Sequence, residues 1–318
     1  MPADDEPEVV TIAELRRFLR DPAGEYLRRR LGLRLPEEVA SVEDVEPLLL
    51  PARGLDKHHL QTAVLEAAIA DDTGDLHERL RARGLLPHGP LAATQLDALV
   101  GETRAYAGLF NDWRNGRQPA SLPVDVGIDL PGGAVHVRGR IEDDYGDALA
   151  RVRVGSPNGP STVRDGLDWL LACASDTPRA LVQVHDTGDG PALHERAPLA
   201  PAAARGALRV LLELRAKGLA EPLPWGPYTG WTYYNEDRPD VALKKARERW
   251  EGGHQQWGEG SAEAFRLTLR GRVLFDDAVM FRRFEDINAR IFRALVDGVA
   301  FEGFVDDGPA TGPREATA

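Results

Sequence analysis

The sequence predicts a mixed α/β fold in which helices flank one sheet. Apolar residues recur with helical spacing as far as Trp113, and they then alternate with polar residues in three short segments. Helical spacing returns from Pro201 onward, and no long Pro- or Gly-rich linker divides the chain. With 318 residues, of which 42% are hydrophobic, the chain can bury a substantial core.

The first helices are predicted by their caps and apolar stripes. Thr11 and Glu14 have the spacing of a capping box, Pro22 interrupts the pattern, and Gly32 ends it. The first stripe consists of Ile12, Leu15, Phe18 and Leu19. Further helices are expected around Leu60–Ala70 and across Leu91–Trp113.

The middle of the chain predicts a β-β-β-α-β-β unit. We expect strands at Pro123–Leu130, Ala134–Ile141, Ala148–Val154, Ala180–His185 and Ala192–Glu195, with a helix at Thr162–Ser175. Glycines at the first turn and acidic residues at the second are typical of tight connections between strands. Helices follow at Pro201–Lys217, Val241–Trp250, Ala262–Leu269 and Phe281–Val296.

Composition excludes several classes of protein. A net charge of −12 means that nucleic acid could meet only a local basic stripe. The sequence contains no run of 18 apolar residues, so it predicts no membrane-spanning helix. The first residues carry no secretory signal, and we expect a cytoplasmic protein. The single cysteine, Cys173, excludes internal disulfides and cysteine-built zinc sites, and its apolar surroundings predict a buried, inert thiol.

Common catalytic motifs are missing from the sequence. It contains no Walker loop, so ATP hydrolysis is not expected, and no G-x-G-x-x-G, H-E-x-x-H or G-x-S-x-G motif. The adjacent His58 and His59 cannot face one metal ion from the same side of a helix.

Six segments in a fixed order carry a family resemblance. They read LRRFLRDPAGEYLRRRLGL, GLLPHG, VRDGLDWLLACAS, APLAPAAARGALRVLLELRAKGLAEPL, LKKARERWEG and GEGSAEAFR. Each is short, but their order and spacing over nearly the whole chain resemble the C-terminal third of RecC, the gamma subunit of exodeoxyribonuclease V. Members of that family are much longer, so we expect this chain to correspond to one domain of such a subunit.

The resemblance implies a nuclease-like domain without catalysis. In the family, this region folds like the nuclease domain of RecB, with the αβββαβ core of PD-(D/E)xK nucleases, but has lost its catalytic residues. The implied partners are a RecB-like helicase-nuclease, a RecD-like helicase and double-stranded DNA ends, in a complex that resects double-strand breaks during recombinational DNA repair. ATP and Mg²⁺ would serve the partner subunits, so we expect no cofactor and no catalysis in this chain alone.

The residues at the expected nuclease site agree with that implication. An active site needs an acid near the end of the second core strand and a D/E-x-K pair on the third, because residues i and i+2 share a strand face. Glu142 stands at the first position, but Arg151 and Arg153 stand where the acid and the lysine belong. Arginine cannot ligate Mg²⁺, and one carboxylate rarely holds it alone. We predict a degenerate site with no catalytic residue and no metal.

Two other functions stay open at this point. A shifted strand could bring Asp143, Asp144 or Asp147 into the site, as in a free-standing Mg²⁺-dependent DNA nuclease of the PD-(D/E)xK type, although no lysine follows at the required spacing. The chain could instead be an unrelated scaffold with a convergent element order, and such a scaffold would not bind RecB-like or RecD-like chains.

Four arginines on neighbouring predicted strands form a candidate patch. Arg138, Arg140, Arg151 and Arg153 could contact a DNA backbone or acidic residues of a partner. They could equally form an internal network paired with Glu142 and nearby aspartates, because arginines at the centre of a sheet need partners.

An aromatic cluster gives a second candidate contact. The segment Pro222–Tyr234 is predicted to be a Pro/Gly loop, and it carries Trp225, Tyr228 and Trp231. Aromatic side chains of this kind suit a protein interface or base stacking. The alternative is a loop folded onto its own helical flank.

The sequence therefore predicts one composite domain. We expect a disordered start at residues 1–10, the nuclease-like domain at 11–305, and a disordered tail at 306–318.

Overall fold

One mixed sheet organises the protein, whose computed structural model describes residues 7–35, 54–86, 90–253 and 257–303. In these ranges the sheet has six strands, β1 (Glu8–Thr11), β2 (Ala120–Leu130), β3 (Gly133–Asp144), β4 (Ala148–Val152), β5 (Ala180–Asp186) and β6 (Pro191–Arg196). The helices there are α1 (Ile12–Arg20), α2 (Pro22–Arg30), α3 (Gly54–Ile69), α4 (Leu76–Ala82), α5 (Pro90–Arg114), α6 (Gly159–Cys173), α7 (Pro201–Ala220), α8 (Pro227–Tyr234), α9 (Pro239–Glu251), α10 (Glu263–Leu269) and α11 (Ala278–Phe292).

The predicted β-β-β-α-β-β order is confirmed, with both antiparallel and parallel pairs. Strands β2 and β3 form an antiparallel hairpin, and β4 pairs antiparallel with the end of β3. Helix α6 then crosses over so that β5 lies parallel to β4, and β6 returns antiparallel to β5. This crossover brings the end of β4, the start of α6 and the end of β5 to one edge of the sheet.

Strand β1 corrects the predicted disordered start. Its residues pair parallel with β3, from Glu8 opposite Val135 to Thr11 opposite Arg138. Val10 is fully buried, so the prediction of disorder is wrong for residues 8–10. A strand of four residues is too short to show a clear alternation of apolar and polar residues. Its ordered conformation depends on pairing with β3, which is distant in sequence. The predicted tail at 306–318 lies outside the described residues.

The start of α1 confirms the capping box. The Thr11 hydroxyl accepts a hydrogen bond from the Glu14 backbone N–H at 3.1 Å, and the Glu14 carboxylate accepts one from the Thr11 backbone N–H at 2.9 Å. The four residues of the predicted apolar stripe are all buried. The amphipathic spacing therefore identifies the buried face of the helix correctly.

Apolar side chains cover both faces of the sheet. The larger core lies between one face and helices α1, α6, α7 and α11, and it includes Leu149 and Leu181. The other face of β4 and β5 packs against α3 and α5, where Phe110 contacts the cluster that contains Ala150 and Val182. Helix α6 is buried along most of its length, and it supplies two of the site residues described below.

Helix α6 is packed so closely that two positions require glycine. A Cβ atom on Gly159 would lie 1.9 Å from the carbonyl oxygen of Pro227, and one on Gly166 would lie 2.4 Å from that of Leu295. At the other end of α6, Cys173 is buried, as predicted. Its sulfur accepts a hydrogen bond from the Leu199 N–H, and burial raises the pKa of the thiol. In the described ranges no helix is long and apolar enough to cross a membrane.

Candidate functional site

A bulge in β3 decides which acidic side chain faces Arg151. Leu122 on β2 is opposite Ile141, but Ala120 is opposite Asp144, so β3 contains one residue more than its partner strand over this stretch. Asp143 has a φ of +62°, in the left-handed region that non-glycine residues rarely adopt. Bulges of this kind redirect side chains and are frequent near functional sites.

The bulge separates Glu142 from Arg151. The Glu142 side chain is exposed and accepts a hydrogen bond from the Ser121 hydroxyl at 3.0 Å, and only its backbone carbonyl accepts one from Arg151, at 3.1 Å. The Asp143 carboxylate meets the Arg151 guanidinium instead, at 2.9 Å. The placement of Glu142 as the acid beside Arg151 is therefore wrong, because the extra residue in β3 shifts by one position the side chain that faces Arg151.

Arg151 lies inside a group of three aspartates. In addition to Asp143, its guanidinium contacts Asp168 at 3.0 Å and Asp165 at 3.7 Å. The side chain of Arg151 is only 11% exposed, and those of Asp165 and Asp168 are 4% and 1% exposed. For Arg151, the structure therefore selects the internal network over a solvent-facing patch.

Further partners complete the network around the two buried aspartates of α6. Asp168 also pairs with Arg16 of α1. Asp165 accepts hydrogen bonds from Arg164 at 2.8 Å and from the Gln183 amide at 3.0 Å. Each buried carboxylate thus has at least two donors, which is the condition under which buried charges are tolerated.

One feature of the sequence points to these two aspartates. The segment VRDGLDWLL places Asp165 and Asp168 three residues apart in a helix that is otherwise almost entirely apolar. Residues i and i+3 share a helix face, so two acids there predict a buried cationic partner.

The Arg151 guanidinium occupies the space between the three aspartates. Arginine is permanently charged, has five N–H donors and accepts no hydrogen bond, so Arg151 binds carboxylates and cannot bind a metal ion. A divalent cation among these aspartates would have to displace the guanidinium. In the part of the chain that the structure describes, no group of three or more His, Cys, Asp or Glu side chains is arranged to hold a metal ion.

Arg153 occupies a different environment from Arg151. It lies one residue beyond β4, its Nη1 donates to the Ser161 hydroxyl, and its Nε is buried without a hydrogen-bond partner among the described residues. Burial lowers the pKa of this guanidinium, and the nearby Asp165 raises it.

Arg138 and Arg140 lie on the exposed face of the hairpin. Arg138 donates to Asp125 at 2.9 Å, and both side chains are about half exposed. Arg140 donates to Ser121 at 2.8 Å. The four-arginine patch is therefore divided, because these two side chains are accessible from solvent and Arg151 is not.

The aromatic segment folds as a helix and not as a loop. Residues Pro227–Tyr234 form α8, whose first backbone N–H groups bond to the buried Glu259 carboxylate. Trp225 is fully buried and donates its indole N–H to Asn288 at 2.8 Å. Trp225 is therefore not available for DNA or a partner, which corrects that assignment. Tyr228 and Trp231 are half-buried, and their role as contacts stays a prediction.

A family comparison identifies the chain. The family model of the RecC C-terminal domain matches residues 7–238, nearly three quarters of the sequence. The chain belongs to the RecC C-terminal domain family. The matched residues of this RecC-type domain include the whole sheet, the Arg151 network and α8, whereas α9, α10 and α11 follow the match.

Comparisons with individual proteins add little to this assignment. No curated protein matches the RecC-type domain. Ten chains of solved structures match it. One of them, titled "Crystal structure of SSO0001", is 15% identical and covers 57% of this chain and 92% of its own, with a TM-score of 0.27. At that TM-score the likeness carries no argument about this domain.

Proposed function

We propose that the chain is the non-catalytic, nuclease-like domain of a RecC-type subunit. It would serve as a structural and DNA-guiding part of an ATP-dependent helicase-nuclease that resects double-strand breaks in recombinational DNA repair. Membership of the RecC C-terminal domain family implies a complex with RecB and RecD partners. The observation that carries the non-catalytic part of the proposal is Arg151 among three aspartates.

The strand directions support a nuclease-like core. Helix α5 precedes three antiparallel strands, β2, β3 and β4, and α6 connects them to the parallel strand β5. This is the αβββαβ order of PD-(D/E)xK nucleases that the family resemblance implies. In such a core, the metal is held by an acid near the end of the second strand and by the third strand, which correspond here to the end of β3 and to β4.

The chemistry at that position opposes hydrolysis. A Mg²⁺ ion in a nuclease neutralises the developing charge and activates water, which needs free carboxylate oxygens and open coordination positions. Here Asp143, Asp165 and Asp168 are occupied by guanidinium groups, and Gln183 donates to Asp165. A permanent side-chain charge thus replaces the exchangeable metal ion.

The partner subunits would supply the chemistry that this chain lacks. ATP and Mg²⁺ would act in RecB-like and RecD-like partners, and this domain would hold the subunits and double-stranded DNA ends in place. We propose a cytoplasmic location for the complex. The exposed Arg138 and Arg140, and the half-buried Tyr228 and Trp231, are the candidate contacts to DNA or to a partner.

Co-purification tests the assembly directly. The tagged chain would be co-expressed with the RecB-like and RecD-like proteins of its own genome and, as a control, with an unrelated helicase of similar size. We expect the first two proteins to co-purify with the chain through gel filtration and the control helicase to be lost. A folded chain, verified by circular dichroism, that retains neither partner would contradict the proposal.

A further inference from the structure

A cleft of about 420 Å³ opens beside the Arg151 network and shares Asp165 and Gln183 with it. It lies at the carboxyl ends of the parallel strands β4 and β5, between the segment that follows β4 and the residues His185–Thr187. Ligands of α/β folds commonly bind at this edge of a sheet, and the volume is within the usual range for small-molecule sites.

An aromatic wall borders the cleft. Trp231 of α8 lines it and is half-buried. The indole packs against Tyr234, with ring centroids 6.3 Å apart and planes at 26°, and against Phe292 at 5.4 Å. These contacts fix the ring, so a flat ligand could stack on it with little loss of side-chain freedom.

Neutral hydrogen-bonding groups line the same cleft. The His185 Nδ1 lies 3.1 Å from the Asp186 backbone oxygen, and since a carbonyl only accepts, Nδ1 carries the proton and Nε2 is an acceptor. Burial lowers the pKa of His185, which keeps the ring neutral. The Gln183 amide nitrogen donates to Asp165, so the amide oxygen can accept from a ligand, and the exposed Asn235 offers both functions.

The charges in the cleft select against an anionic ligand. Asp165 and Asp186 line it. The charge of Asp165 is already paired with Arg151 and Arg164, and Asp186 opposes a phosphate or carboxylate. The only guanidinium among the described lining residues belongs to Arg196, which donates to the Leu295 carbonyl at 2.8 Å and packs over Trp169 at 4.7 Å. An uncharged, planar ligand with donors and acceptors on its edge fits this arrangement.

We propose that this cleft binds one unpaired nucleobase, stacked on Trp231 with its edge toward Gln183, His185 and Asn235. The inference rests on the proposed function, because a complex that opens duplex ends supplies unpaired bases. It adds a base-binding site to a domain otherwise described as structural. The phosphates of the strand would remain outside the cleft.

Nucleosides test the site without any contribution from phosphate. Adenosine, guanosine, cytidine and thymidine would each be titrated into the purified chain by isothermal calorimetry. We expect at least one to bind, and Trp231→Ala to weaken it by about tenfold or more, because stacking of a base on an aromatic ring contributes about 1–3 kcal/mol. Trp257→Ala removes a 53% exposed indole outside the cleft and should leave the affinity unchanged.

A second variant protects the test against misfolding of Trp231→Ala. Ser156 is exposed at the mouth of the cleft, so Ser156→Tyr blocks entry without removing a buried contact. It should also weaken nucleoside binding by about tenfold or more. Absence of binding by all four nucleosides, or binding that neither Trp231→Ala nor Ser156→Tyr weakens, would overturn the inference. Co-purification with the RecB-like and RecD-like partners is measured separately, so failure of this site and failure of the proposed function are distinguishable.

Discussion

Removal of the Arg151 charge should destabilise the protein far more than removal of a comparable exposed charge. Both Arg151 and Arg138 are strand arginines paired with aspartate at 2.9 Å. Arg151 is 11% exposed and contacts two nearly inaccessible carboxylates, whereas Arg138 and its partner Asp125 are 49% and 53% exposed. The two substitutions Arg151→Met and Arg138→Met therefore differ mainly in burial.

The structure sets the expected size of each effect. Breaking a buried ion pair by removing one partner costs about 3–5 kcal/mol, because the other charge stays buried. Asp168 retains Arg16, and Asp165 retains Arg164 and Gln183, so we expect Arg151→Met to lie near the lower end, at about 3 kcal/mol. Exposed pairs contribute about 0–1 kcal/mol, which is the expectation for Arg138→Met.

Urea unfolding measures the difference. Free energies of unfolding for the two variants and the unmodified protein would come from the same circular dichroism signal, with slopes compared to detect changes in the unfolded state. Arg151→Lys should recover only part of the loss, since an ammonium lacks the planar fork that contacts several carboxylates together. Equal losses for Arg151→Met and Arg138→Met would refute the internal network.

Three further variants test other parts of the structure. Trp225→Ala removes a fully buried indole and should cost about 3–5 kcal/mol, whereas Trp257→Ala, at 53% exposed, should be nearly neutral; similar melting temperatures for both would contradict the buried placement. Gly166→Ala should lower the free energy of unfolding, because the new Cβ meets the Leu295 carbonyl. The same change inside a helix usually raises the free energy of unfolding by about 1 kcal/mol, and a stabilised variant would show that the contact relaxes. The hydrogen bond from the Thr11 backbone N–H lowers the pKa of Glu14 from 4.5 to about 2, so its contribution is present above the unfolded pKa and is lost as pH falls from 4.5 toward 2. Glu14→Gln should therefore cost about 1 kcal/mol at neutral pH and much less near pH 2, and unfolding curves with a constant difference at both pH values would contradict this.

Local sequence patterns predicted the elements of the fold well. The change in apolar period located the hairpin, the crossover helix and the parallel strand. Burial of one face imposes a period of about 3.6 residues on a helix and of two residues on a strand. The capping box at Thr11 is equally local, since both partners lie within four residues. The same strand spacing led to the proposal that Arg151 and Arg153 stand where a nuclease would carry an acid and a lysine.

Features that depend on distant contacts were not predictable in the same way. The bulge at Asp143 reverses which acid faces β4, and no periodic pattern announces one inserted residue. The role of Asp165 and Asp168 became clear only when α6 was packed onto β4. Trp225 was misassigned for the same reason, because its partner Asn288 is 63 residues away and an aromatic residue in a Pro/Gly segment looks accessible until its cover is known.

Loss of catalysis is the central claim, and DNA cleavage by the purified chain tests it most directly. End-labelled linear duplex and single-stranded DNA would be incubated with the protein and with Mg²⁺ or Mn²⁺. An Asp143→Asn variant serves as the matched control because Asp143 is half exposed and asparagine keeps its shape without the charge. Its folding would be verified by circular dichroism. Because the Arg151 guanidinium lies among Asp143, Asp165 and Asp168, we expect no cleavage by the unmodified protein beyond that of the variant. Metal-dependent cleavage that disappears in Asp143→Asn, or in Glu142→Ala, would contradict the account and identify the chain as an active nuclease.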